Sequence, residues 1–76
     1  MESEMTPQQE LLRAGATIIR ANRTAGKHGG SSDKDKLAQR ICRNVADSAL
    51  GRIDSNHTRF HFHMKMVDAG HFKNFE

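Results

Sequence analysis

In the nine residues Arg59-Phe60-His61-Phe62-His63-Met64-Lys65-Met66-Val67, basic and apolar side chains alternate with one exception, the final Met66-Val67. Successive side chains of an extended strand leave opposite faces, so this spacing predicts a half-buried β-strand with Phe60, Phe62, Met64 and Met66 inward. Arg59, His61, His63 and Lys65 then form a cationic outer face. The segment is bounded by turn signals, Asp54-Ser55-Asn56-His57 before it and Asp68-Ala69-Gly70 after it. His71 to Phe75 would pair back, which gives a strand or hairpin over residues 58–75. A two-stranded hairpin is marginal alone. It must pack on whatever precedes it, and its free edge could join a second copy.

What precedes it reads as two helices. Thr6-Pro7-Gln8-Gln9 combines a capping threonine, a proline at the first helical position and a glutamine that closes a capping box. Leu11, Leu12, Ile18 and Ile19 continue as the apolar face of a helix over residues 7–22, and Gly15 between them would let another element approach closely. Residues 1–6 read as flexible, and residues 23–32 as a flexible basic loop rich in glycine and serine. A second helix over residues 33–50 would bury Leu37, Ala38, Ile41, Val45 and Ala49, which recur at helical spacing. Gly51 would stop it. Cys42 falls at the edge of that stripe and reads as a small buried thiol. The expected fold is therefore one small α+β domain: two helices, then a strand or hairpin that dimerises.

Size supports the expectation of a partner. With 76 residues, 36% of them hydrophobic and a single cysteine, the chain has little core and no intramolecular disulfide. Chains of this kind gain stability from a second subunit, a metal or a nucleic acid. No stretch has the length and hydropathy of a signal peptide or membrane span, which together with the lone cysteine suggests a cytoplasmic protein, in a host cell if the source is viral.

The net charge is +3, and its distribution is uneven. Residues 11–43 hold eight basic residues and two acidic ones, whereas residues 44–76 hold four of each. A concentrated basic segment points to a polyanion, most often nucleic acid. Candidate contacts are Arg20, Arg23, Lys27, Lys34, Lys36, Arg40 and Arg43, each able to neutralise a phosphate. Arg59, His61, His63 and Lys65 form a second cationic face that could also meet phosphates. His61 and His63 on one strand face could also grip a metal, completed by His57, His71, Asp68 or Cys42, but the scattered partners argue against a metal site. No cofactor motif or catalytic constellation is present. Glycines at Lys27-His28-Gly29-Gly30 lack phosphate-loop spacing.

Arg43-Asn44-Val45-Ala46-Asp47-Ser48-Ala49-Leu50, the polar break Asp54-Ser55-Asn56, and Phe60-His61-Phe62-His63 ahead of Asn74-Phe75 resemble the small RNA-binding movement proteins of carmovirus-like plant viruses. The resemblance spans residues 34–76. It implies RNA more than DNA as partner and a role in transporting viral genomes. A different class of function fits the same segment: a virus- or phage-encoded inhibitor or regulator that docks on a host protein through its C-terminal strand or a helix face.

Overall fold

The computed structural model describes residues 6–75. The flexible stretch expected at residues 1–6 lies outside them except for Thr6, which caps the first helix. Three α-helices follow in order: α1 over Pro7–Lys27, α2 over Asp33–Gly51 and α3 over Asn56–Asp68, then a short 3-10 turn over Lys73–Phe75. Among the described residues there is no strand. The expected α+β class is therefore corrected to all-α, and a strand-mediated dimer has no element to form it.

The alternating segment is α3. Alternation at period two also repeats at period four, which is close to one helical turn. In a helix the eight residues 59–66 become four i, i+4 pairs, each turned about 100° from the next. Phe62 and Met66 form the inward pair: Met66 is buried and Phe62 packs against the core. Phe60 and Met64 form the opposite pair and stay exposed. Local signals favour the helix. The run 59–66 has no β-branched residue, whereas methionine, lysine and arginine are good helix formers. Ser55 caps the start, its hydroxyl accepting from the Thr58 amide at 3.2 Å. Gly70, with φ of 84°, closes the end. His71 N–H donates to Met66 O and Gly70 N–H to Val67 O, both at 3.0 Å, the paired bonds of a Schellman stop.

α1 and α2 form an antiparallel hairpin that carries most of the tertiary contact. The Thr6 capping box forms as read from the sequence, with Thr6 N–H donating to Gln9 Oε1 and Gln9 N–H to Thr6 Oγ1, both at 3.1 Å. The helix then runs past the expected stop at residue 22, because Ala21 and Ala25 continue the 4-3-4 spacing set by Ala14 and Ile18. All four are buried. From α2, Cys42, Ala46, Ala49 and Leu50 face them. Small residues at this spacing let two helices approach closely with interlocking side chains. The expected buried stripe of α2 is thereby displaced: Cys42 and Ala46 are inside, and Leu37, Ile41 and Val45 are outside. On α1, Leu12 is likewise exposed.

The connection is residues 28–32, shorter than the expected loop and pinned rather than loose. Gln39 Nε2 donates to the carbonyls of His28 and Gly30. His28 Nδ1 lies 3.3 Å from Asp35 Oδ1, and Ser32 caps α2 by accepting from Asp35 N–H at 3.1 Å.

After α3 the chain returns across α1. Asn22, buried in the middle of α1, accepts from Asn74 N–H at 3.0 Å through its side-chain oxygen, while its own carbonyl accepts from Asn74 Nδ2 at 2.9 Å. Phe72 and Phe75 meet edge to face at 5.5 Å and close over the hairpin core, Phe75 touching both of its apolar clusters.

Two glycines of α1 lie beneath these later elements, and they predict opposite outcomes. A Cβ on Gly15 would meet Phe62 at 3.5 Å, an ordinary contact, so Gly15→Ala should stabilise by roughly 0.5–1 kcal/mol through helix propensity. A Cβ on Gly26 would sit 2.7 Å from Asn74 Nδ2, which is already bonded, so Gly26→Ala should destabilise despite the same propensity gain. Urea unfolding of both variants distinguishes them. The same measurement should show Asn22→Ala costing about 2 kcal/mol, because the Asn74 amide loses its acceptor in a half-buried site.

Candidate nucleic-acid interface

The seven basic residues singled out between positions 20 and 43 are all exposed, but they do not form one surface. Arg20, Arg23 and Lys27 each follow an α1 interface residue (Ile18, Ala21, Ala25) by two positions, about 200° around the helix. They therefore share the edge of α1 turned away from α2. Arg13, one heptad before Arg20, falls on the same line. Residues 11–27 contain no acidic residue, so no acidic side chain of α1 lies within a turn of Arg20, Arg23 or Lys27, whereas Arg13 has Glu10 one turn before it. From Arg20 to Lys27 it covers about 10 Å of helix.

Arg40 precedes the buried Cys42 by two positions and so occupies the outer edge of α2. Lys36 and Arg43 lie beside it at i−4 and i+3. The two stripes run along opposite margins of the hairpin, roughly 20 Å apart across two helix widths. The α2 stripe is also mixed in charge. Asp33 stands one turn before Lys36, and Arg43 Nε lies 3.9 Å from Asp47 Oδ2. Arg43 is further engaged in the fold, its Nη1 donating to the Phe75 carbonyl at 3.1 Å. Lys34 belongs to neither stripe and sits instead beside Leu37 and Ile41.

The second cationic face expected from a strand is dispersed by the helix. Arg59 and His63 fall on the inner side of α3, His61 and Lys65 on the outer side. The Arg59 guanidinium folds back onto Asn56 Oδ1 through Nη1 at 2.7 Å and Nη2 at 2.9 Å, leaving its buried Nε without a partner. The His63 ring packs on Phe72 with centroids 4.8 Å apart. His61 instead meets His57, one turn earlier, at 4.9 Å. The pair considered for a metal, His61 and His63, is thus split between two sides of the helix, and among the described residues no three His, Cys, Asp or Glu side chains come together as a metal site.

Among the described residues no helix is long and apolar enough to cross a membrane. No family model, curated protein or solved structure matches the chain.

The engaged state of Arg43 separates it from its neighbours by experiment. Arg43→Ala should lower unfolding stability by about 0.5–1 kcal/mol, since an exposed bond to the Phe75 carbonyl is lost, whereas Arg20→Ala should change it by less than about 0.5 kcal/mol. Thermal melts of the two variants read the difference.

Proposed function

We propose that this chain is a non-catalytic nucleic-acid-binding protein whose primary contact is the outer stripe of α1: Arg20, Arg23 and Lys27. The observation that carries the proposal is the alignment of these three exposed cations along a helix edge that no acidic residue interrupts. Phosphates are recognised by charge without a base-reading geometry, so binding is sequence-tolerant and depends on counterion release. Lys36 and Arg40 on α2 assist from the opposite margin, while Arg43 is held by Asp47 and the Phe75 carbonyl. Lys34, His61 and Lys65 contribute general positive potential.

The preference for RNA over DNA, and a role in moving a viral genome, rest on the resemblance of residues 34–76 to the plant-virus movement proteins. The alternative of docking on a host protein by adding a strand has no element to act through among the described residues.

A salt-titrated mobility-shift series with random-sequence RNA and DNA tests the proposal. The wild-type affinity should fall steeply with salt. The triple variant Arg20→Glu, Arg23→Glu, Lys27→Glu should bind weakly at every salt concentration, with the slope of log K against log salt reduced by roughly 2–3, as expected for three lost phosphate contacts. Reversal of Lys36 and Arg40 should have a smaller effect. Equal losses from the two sets, or a wild-type affinity insensitive to salt, would rule out the α1 stripe as the lead contact.

A further inference from the structure

Leu37, Ile41 and Val45 are 53%, 52% and 42% exposed, although they recur every fourth residue on α2. Residues at i, i+4 and i+8 form one of the natural ridges of a helix surface. Among the described residues nothing covers this one. α3 and the C-terminal turn approach the hairpin from the side of Gly15, Asn22 and Gly26. Thr17 lies two residues from Gly15, on the other side of α1, and there it lines a groove of about 340 Å³ with Ile41, Asn44, Val45, Ser48, Ala49 and Arg52. The ridge and the groove are therefore neighbours on the bare face.

Their arrangement suits a second copy of this chain. Leu37 projects at the N-terminal end of the ridge, while the groove lies at its C-terminal end. A two-fold axis near Ile41 brings each Leu37 onto the partner's groove, and ridge-into-groove packing of two i±4 rows gives the common crossing of about −50°. Charge agrees with shape. The positions facing such an axis (Leu37, Ala38, Ile41, Asn44, Val45 and Ser48) are all uncharged. Lys34 stands about 10 Å along the helix from Ile41, and Arg52 closes the far end of the groove, so the one charge at the seat lies at its rim.

We propose that the bare face of α2 is the interface of a two-fold homodimer centred on Ile41, with each Leu37 seated between Val45, Ser48 and Ala49 of the partner subunit. This inference is independent of nucleic-acid binding. Sedimentation equilibrium of the full chain should show a monomer–dimer equilibrium. Ile41→Asp should weaken it at least about 30-fold while leaving the helical circular dichroism unchanged, since the side chain is exposed in the monomer. Geometry is read by cross-linking. Ile41→Cys should form a disulfide dimer with itself on mild oxidation, whereas Leu37→Cys and Val45→Cys should cross-link more efficiently with each other than alone. The wild-type chain, whose Cys42 is buried, is the control. A chain that stays monomeric up to about 1 mM, or a dimer that Ile41→Asp leaves intact and Phe60→Asp dissolves, would overturn the proposal.

Discussion

The close packing of α1 on α2 through small side chains is the contact on which the rest of the molecule depends. Ala14, Ala21 and Ala25 from one helix meet Ala46 and Ala49 from the other, with Ile18 as the largest wholly buried side chain. Alanine costs no side-chain entropy on burial, so the interface forms at little conformational expense. It also buries little apolar area, which limits what it can contribute. Several larger hydrophobic side chains that sequence periodicity assigns to the core, Leu12, Leu37, Ile41 and Val45, are displaced to the surface, whereas Ile18 stays inside.

That displacement explains the two remaining features of the fold. A core made largely of alanines needs a lid, and Phe62, Met66, Phe72 and Phe75 supply it from beyond the hairpin. The lid is fixed by polar contacts as well as apolar ones: Asn74 donates two bonds to Asn22 across the chain, and Arg43 holds the Phe75 carbonyl. It covers one face of the hairpin. The other face keeps Leu37, Ile41 and Val45, and the outer margins carry the cations. Apolar association and polyanion contact are thus assigned to different surfaces by the same packing choice.

The N-terminal caps of α1 and α2 are legible in the sequence because Thr6 and Ser32 act within a few residues of where they stand. Gly70 reads as a turn between strands and instead ends α3, whereas Gly51, the expected stop, is the last residue of α2 with no positive φ. The identity of α3 was not legible from periodicity alone, since alternation over residues 59–66 satisfies both a strand and a helix with four matched faces. The absence of β-branched residues and the Ser55 cap were the discriminating signals. The buried stripe of α2 is legible in part: Ala49 and Cys42 are buried as expected, but Leu37, Ile41 and Val45 give way to Ala46 because only small side chains fit against α1. The basic residues were legible as a group. Their division between two margins was not, because it depends on which side of each helix turns inward.

The bonds between Asn22 and Asn74 join residues 52 positions apart, whereas the hairpin closes through residues 28–32. Closing the longer loop costs more chain entropy, so chain connectivity holds the lid to α1 less strongly than it holds the hairpin together. The asparagine pair supplies polar contacts that offset this, and so bears on local opening of the phenylalanines from the alanine core as well as on unfolding of the whole chain.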